Sequence, residues 1–183
     1  MSRENVELVR RWYDAWNRGD THTVIQSFAP DVVWHGHPRL PEPGPYGSRD
    51  EVERWMAQFR EAWGELRTEP VELLDAGDSV IALIHMTGRG RGSGVEIGGG
   101  VDVHLITIAN GEVTLFRIHP ADEVVELAGL QRPEFEALVL RVQEGLSESS
   151  IADRLEVEEA EVSATLAGAY NKLRALIPSE RVS

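Results

Sequence analysis

The 183-residue chain contains no cysteine. Disulfide bonds, thiolate zinc sites and cysteine nucleophiles are therefore all excluded. No run approaches the roughly 18 apolar residues that are needed to cross a bilayer. The N-terminus enters a charged helix without an apolar signal core. These absences predict a soluble, cytoplasmic protein with no membrane partner.

Basic side chains are scarce, and Lys172 is the only lysine. The chain has 18 basic and 31 acidic residues, which gives a net charge of −13 and a pI near 4.9. Because that field repels phosphate, nucleic acid and anionic membranes are not the default partners. The hydrophobic content of 42% is enough for one or two domains with a real core.

The first part of the chain has a helix, helix, strand order. Apolar spacing predicts helices over residues 4–16 and 21–28 and a strand over 32–35, and Ser48 caps a third helix. Four more strand-like runs follow, at residues 68–75, 80–88, 101–108 and 113–119. This order predicts an α+β fold in which three N-terminal helices close one side of a cone-shaped, curved, mixed or antiparallel sheet.

The second part of the chain is helical. Three helices are expected there, over residues 134–143, 148–155 and 160–176. We therefore predict two domains, residues 1–130 and an all-α three-helix segment at 131–183.

Two connecting segments are rich in proline or glycine. Residues 38–47 hold four prolines and two glycines, so they are expected to form an irregular rim or lid. Residues 88–100 predict a long glycine-rich hairpin. A phosphate-binding loop is not expected there, because no helix follows to supply the amide cluster and the dipole.

Six stretches in residues 1–130 carry a family resemblance. They are ENVELVRR (4–11), AWNRGD (15–20), PDVVW (30–34), LPEPGPYG (40–47), DAGD (75–78) and GRGRGSG (88–94). These stretches resemble the SnoaL-like branch of the nuclear-transport-factor-2-like superfamily. The resemblance implies a cone with a hollow for a small molecule. The same fold serves polyketide cyclases, ketosteroid isomerases, dehydratases, epoxide hydrolases and non-catalytic binders.

Residues 133–176 carry a second resemblance, to a LuxR-type helix-turn-helix. The matching stretches and positions are VLRVQEGLS (139–147), IADRL (151–155), Val162, Leu166, Tyr170, Lys172 and Leu173. The resemblance implies that Ser163, Thr165 and Lys172 would face DNA. The glutamates at 158, 159 and 161 open the recognition helix, and their charge opposes approach to phosphates. The alternative is a three-helix appendage that packs on the cone or joins subunits.

The candidate catalytic pair lies in the strand over residues 101–108. Side chains alternate along a strand, so Asp102, His104 and Ile106 share one face. The carboxylate could orient the imidazole or raise its pKa, which would give an acid/base pair usable near neutral pH. The alternative is a half-buried polar pair without a catalytic role.

The resemblance adds a placement for this pair. It implies that His104 lies near the position from which ketosteroid-isomerase-like enzymes donate a hydrogen bond into the pocket. The position of their base is Gly36 in this chain, so their mechanism is not implied.

Large aromatic and apolar side chains are expected to line the hollow, because each ring offers a wide apolar surface to a flat ligand. The predicted lining is Tyr13, Trp12, Trp34, Tyr46, Trp55, Phe59, His85, Ile106, Phe116 and Ile118. Core packing explains most of these residues as well. Trp34 is the strongest candidate for a pocket wall.

The remaining histidines are expected to lie outside the hollow. If Trp34 and Gly36 face the cone, His35 and His37 point away from it. No third ligand at suitable spacing is evident beside them, so neither a metal nor another cofactor is expected. His119 is also predicted to point outward.

The sequence therefore predicts a protein that binds a small apolar or aromatic molecule. It could also perform cofactor-free acid/base chemistry of the isomerase, cyclase or dehydratase type, with His104 as base or acid and Asp102 orienting it. One alternative is a ligand-responsive transcriptional regulator that binds DNA through its C-terminal helices. Another is a non-catalytic module that dimerises through Val113, Leu115 and Arg117. A homodimer is expected.

Overall fold

The computed structural model describes residues 2–40, 42–92, 94, 96–97 and 100–177. Its helices are α1 (Ser2–Arg18), α2 (Thr21–Gln26), α3 (Arg49–Ala62), α4 (Ala121–Ala128), α5 (Arg132–Val142), α6 (Glu148–Leu155) and α7 (Glu159–Arg174). Its strands are β1 (Phe28–His35), β2 (Trp63–Asp75), β3 (Ser79–Gly90), β4 (Glu96–Ile97), β5 (Val101–Ala109) and β6 (Glu112–Pro120). Predicted features at Pro41, Ser93, Val95 and residues 178–183 lie outside the described residues.

The strands form one mixed sheet in the order β1-β6-β5-β3-β2, and β4 pairs with β3. β1 is parallel to β6, and the other neighbours in this order are antiparallel. Three helices precede β2 and four follow β6. This arrangement confirms the predicted α+β fold, in which a mixed sheet is preceded by N-terminal helices and followed by C-terminal helices.

Capping residues set the starts of two N-terminal helices. The Asp20 side chain accepts a hydrogen bond from the Thr23 amide at the start of α2, and the Ser48 hydroxyl accepts one from the Glu51 amide at the start of α3. Each cap satisfies an amide that has no partner within its helix. The two helices therefore begin where the sequence places them.

The structure differs from the predicted elements at three places. α2 is shorter than predicted, and β1 begins at Phe28, where the chain already pairs with β6. β2 begins at Trp63 because the pairing with β3 extends to Gly90. α4 was not predicted, and it ends at Gly129, whose φ of 62° places it in the left-handed region that favours glycine.

One hydrophobic cluster fills the side of the sheet that faces α1, α2 and α3. Val80, Ala82 and Ile84 of β3 point into it, as do Ile106 of β5 and Phe116 of β6. These residues alternate with the ones that point to the other face. This cluster is the inner cluster, and the one on the opposite face of the sheet is the outer cluster.

The outer cluster joins the opposite face of the sheet to α4, α5, α6 and α7. Its sheet residues include Ile81, Leu83, Val103 and Leu105, and its helical residues include Leu138, Leu166 and Leu173. The C-terminal helices therefore pack on the cone, which is one of the two arrangements expected of an appendage. The domain boundary near residue 130 stays a prediction.

The residues suggested for a dimer contact do not share one face. Val113 is buried in the inner cluster, whereas Leu115 and Arg117 are half-buried. A register shift in the pairing of β5 with β6 separates Val113 from Leu115 and changes the alternation. Val113 is therefore not available to an outer contact surface.

Candidate functional site

A cavity of about 480 Å³ lies between the sheet, α1, α3 and the segment that follows β1. Its aromatic lining comes from five separate elements and comprises Trp12, Trp16, Trp34, Trp55, Phe59, Trp63 and Phe116. Its aliphatic lining comprises Leu40, Met56, Met86 and Ile118. Its polar lining comprises His37, Arg39, Thr68, Glu96, Asp102 and His104. The cavity is thus an apolar chamber with ionisable groups in its wall.

Stacked rings give the cavity flat walls. The Trp34 and Phe116 rings are stacked with centroids 4.0 Å apart and an interplanar angle of 13°. Trp55 and Phe59 are stacked with centroids 5.0 Å apart and an angle of 15°. Flat aromatic surfaces favour planar ligands, because a ring can lie against them over its whole face.

Eight of the predicted site residues lie in the cavity wall, and they are Trp12, Trp34, Trp55, Phe59, Asp102, His104, Phe116 and Ile118. Four others lie elsewhere. Tyr13 and Ile106 are buried behind the wall in the inner cluster. Tyr46 lines a separate shallow depression beside Trp55. His85 follows Ile81 and Leu83 in the alternation of β3, so it lies on the face opposite the cavity.

Tyr13 and His104 form a short, buried polar contact at the cavity wall. The Tyr13 hydroxyl lies 2.7 Å from Nδ1 of His104, and their exposed fractions are 0% and 5%. Burial raises the pKa of Tyr13 well above its ordinary value, and the charge of Asp102 adds to this rise. Burial lowers the pKa of His104 to about 4, and Asp102 opposes this shift without reversing it. Both groups are therefore uncharged near neutral pH.

These charge states fix the tautomer of His104. A buried phenol hydroxyl needs an acceptor, and Nδ1 of His104 is the acceptor that the structure gives it. The hydroxyl therefore donates to Nδ1, and the imidazole hydrogen is on Nε2. His104 offers a neutral N–H donor to the cavity that it lines.

Asp102 contacts a different histidine from the one predicted. Its Oδ1 atom lies 3.5 Å from Nε2 of His37, and the hydrogen bond to Nδ1 of His104 comes from Tyr13 instead. The sequence missed Tyr13 in this role because α1 and β5 are far apart along the chain. It missed His37 because β1 ends at His35, so strand alternation no longer sets the direction of the following side chains.

The remaining candidate residues are held by neighbouring groups. His119 pairs with Val103 of the outer cluster, so it points away from the cavity as predicted, but it is buried there, and its Nδ1 lies 3.4 Å from a Glu123 carboxylate oxygen. Lys172 donates to Glu134 at 2.7 Å and to the Gly129 carbonyl at 3.2 Å. The Ser163 hydroxyl donates to Glu148, and Thr165 is half-buried. The side chains proposed for DNA contact are thus largely committed to the protein itself.

In the described part of the chain, no group of three or more histidine, aspartate or glutamate side chains is arranged to hold a metal ion. None of its helices is long and apolar enough to cross a bilayer.

The chain is similar in sequence and in fold to known proteins. The SnoaL-like domain model matches residues 9–116, and no match to a LuxR-type helix-turn-helix was found. An NTF2-like protein of unknown function from Burkholderia pseudomallei K96243 is 26% identical, with a TM-score of 0.58 over 67% of this chain and 95% of its own. An NTF2-like protein from Burkholderia thailandensis E264 is also 26% identical, with a TM-score of 0.59 over 63% and 89%.

A candidate polyketide cyclase from Sinorhizobium meliloti is 25% identical, with a TM-score of 0.50 over 62% of this chain and 94% of its own. No curated protein matches the chain. The family model spans more than half of the sequence, and the matched residues build the second half of α1, most of the cavity wall and most of the sheet. The chain therefore belongs to the SnoaL-like family.

Proposed function

We propose that this protein binds a flat, largely apolar molecule that carries a carbonyl group, and that it moves a proton beside that carbonyl without a cofactor. The observation that carries the proposal is the 2.7 Å contact between Tyr13 and His104 at the wall of an aromatic cavity. This contact leaves a neutral Nε2–H group available to the ligand. Asp102 supplies a carboxylate in the same wall.

His104 acts as a hydrogen-bond donor in this proposal. A histidine whose pKa lies at about 4 is a weak base near neutral pH, and its Nδ1 is already occupied by Tyr13. Its Nε2–H group can instead stabilise negative charge on a ligand oxygen. A well-placed donor of this kind contributes on the order of 10²–10³ in rate.

Asp102 acts as the base. Its carboxylate takes a proton from the carbon next to the ligand carbonyl. The C–H electrons form a C=C bond to the carbonyl carbon, the C=O π electrons move to the oxygen, and His104 donates a hydrogen bond to the resulting enolate oxygen. In a ligand with a second C=C bond conjugated to the enolate, return of the proton from Asp102 to the far carbon of that bond completes an isomerisation. Attack of the enolate carbon on a second carbonyl, whose oxygen then takes the proton from Asp102, completes a cyclisation. General base catalysis contributes on the order of 10²–10⁴.

Both the lining and the comparisons support this class of chemistry. A cavity of about 480 Å³ falls in the usual range for small-molecule sites, and its stacked rings suit a fused-ring ligand. The similarity to the candidate polyketide cyclase from Sinorhizobium meliloti agrees with an enolate reaction.

Two small probes can test binding and chemistry separately. 2-Naphthol binding is measured by quenching of tryptophan fluorescence, and proton removal from 2-tetralone is measured by its exchange with D₂O in ¹H NMR spectra. We expect the wild-type chain to bind 2-naphthol and to accelerate the exchange. Asp102→Asn should reduce the exchange by about 100-fold or more, whereas Asp14→Asn, at an exposed position of α1, should leave it unchanged.

The outcomes separate the parts of the proposal. Naphthol binding without exchange by the wild-type chain would leave a binding protein and remove the catalytic part. If 2-naphthol does not bind and 2-tetralone is not exchanged, the proposal that the cavity binds a flat apolar ligand is contradicted. The homodimer, DNA binding and cytoplasmic location stay predictions, to be tested by sedimentation, gel shift at low salt and fractionation of the native cells.

A further inference from the structure

His37 reaches Asp102 from the segment that follows β1. Its Nε2 atom lies 3.5 Å from Oδ1 of Asp102, and the exposed fractions of the two side chains are 15% and 12%. Both residues line the cavity. The carboxylate on β5 is thus contacted by an imidazole from a distant part of the chain.

A backbone hydrogen bond fixes which nitrogen of His37 carries the hydrogen. The Arg39 amide donates to Nδ1 of His37 at 3.1 Å. Nδ1 is therefore the acceptor nitrogen, and in the neutral ring the hydrogen is on Nε2, which faces Asp102. His37 and His104 are thus both Nε2–H donors, and each is fixed by a hydrogen bond to its Nδ1.

The segment that carries His37 is itself tied down. The Gly36 amide donates to the Pro43 carbonyl at 2.7 Å, and the Arg39 guanidinium lies 2.6 Å from the Asp122 carboxylate on α4. These contacts hold the backbone amide that orients the imidazole. The position of His37 beside Asp102 is therefore defined by more than one contact.

Three other ionisable groups near Asp102 contact other residues. His104 accepts from Tyr13, and Arg39 pairs with Asp122. His119 lies beside Glu123, and Glu96 is the other carboxylate of the cavity wall. Among the described residues, His37 is the side chain that the structure places against an Asp102 oxygen.

We infer that His37 is a positioning residue for Asp102. This inference rests on the proposed function, because it concerns the carboxylate that acts there as the base. The Nε2–H group of His37 holds Oδ1 and stabilises its negative charge, so that Oδ2 is directed to the ligand. A group of this kind changes the rate of proton removal more than it changes ligand affinity.

Two substitutions of His37 test the inference by kinetics. His37→Gln keeps a side-chain N–H donor, and His37→Leu removes it. With 2-tetralone as the substrate, we expect His37→Leu to lower kcat for exchange about tenfold with a similar KM, and His37→Gln to recover part of the loss. His22→Leu, at an exposed position of α2, is the matched control and should behave like the wild-type chain. Equal kcat values for the wild-type chain and His37→Leu would overturn the inference.

Imidazole ¹⁵N NMR spectra give a readout that does not depend on turnover. We expect His37 in the wild-type chain to be the Nε2–H tautomer, with a ring N–H signal that moves when Asp102 is replaced by leucine. An Nδ1–H tautomer, or a His37 signal that is identical in Asp102→Leu, would overturn the inference even if 2-tetralone is exchanged. If 2-tetralone is not exchanged, the proposed chemistry fails, and the same spectra still decide whether His37 contacts Asp102.

Discussion

Arg141 on α5 and Glu72 on β2 link the C-terminal helices to the edge of the sheet. The Arg141 Nε and Nη2 atoms lie 2.8 Å and 2.7 Å from one Glu72 carboxylate oxygen, and Nη1 donates to the Leu146 carbonyl at 3.1 Å. The helices after residue 130 are therefore attached to the sheet by a polar contact as well as by apolar packing.

The first prediction concerns this link. Arg141→Met should lower the free energy of unfolding by about 1–3 kcal/mol, because it leaves the half-buried Glu72 carboxylate without its partner. Arg154→Met is the control, since Arg154 and Glu144 form an exposed pair whose loss should cost less than about 1 kcal/mol. Urea denaturation measures both values. Equal losses in the two variants would contradict a specific role for Arg141.

The second prediction concerns stability at acid pH. His104 titrates near 6.5 in the unfolded chain and at about 4 in the folded chain, so between these values the unfolded chain alone binds the proton. Above pH 6.5 His104 is largely neutral in both states, so its burial costs no stability. As the pH drops to 4, protonation of His104 in the unfolded chain lowers the free energy of unfolding by about 3 kcal/mol.

The variant His104→Gln isolates this contribution. Glutamine keeps an oxygen acceptor for the Tyr13 hydroxyl and does not titrate. We expect the stability difference between the wild-type chain and this variant to change by about 3 kcal/mol between pH 6.5 and pH 4. The lowered pKa values of His35 and His119 act in the same direction in both proteins and cancel in the difference. A constant difference over this range would contradict the buried, neutral state of His104.

The third prediction concerns the cavity volume. Met86 lines the cavity from β3, and the neighbouring Thr87 is exposed and absent from its lining. Met86→Trp should fill part of the space and weaken 2-naphthol binding about tenfold or more, which corresponds to about 1.4 kcal/mol. Thr87→Trp should leave the affinity unchanged. Fluorescence titration measures both, and equal effects would place the naphthol site elsewhere.

The fourth prediction concerns the turn between α6 and α7. Glu156 ends α6 with a φ of 56°, in the left-handed region that disfavours residues with a side chain. Glu156→Gly should therefore raise the free energy of unfolding by about 0.5–1 kcal/mol. Glu136→Gly removes the same charge from an exposed position within α5, and it should lower the free energy of unfolding by about the same amount. Thermal denaturation distinguishes the signs, and a loss in both variants would contradict the backbone argument.

The sequence determined most of the elements and the face that Asp102 and His104 share on β5. Regular apolar spacing depends on neighbours within one helix or strand, so α1 and β3 could be predicted from nearby residues. Alternation alone places Asp102 and His104 on one shared face of β5, and the structure shows that this face lines the cavity. The aromatic wall was predicted from the large rings on the elements that border the hollow, Trp34 and Phe116 among them.

Only the tertiary structure decided which groups meet at the site. Tyr13 contacts His104 across 91 positions of sequence, and His37 approaches Asp102 from irregular backbone, where no repeating pattern sets a side-chain direction. His85 lies on the face of β3 opposite the cavity. The sequence could not predict this, because neither parity nor composition says which side of β3 is the cavity side until the helices pack. Contacts between distant segments depend on how the layers pack against each other, and local periodicity carries no information about that packing.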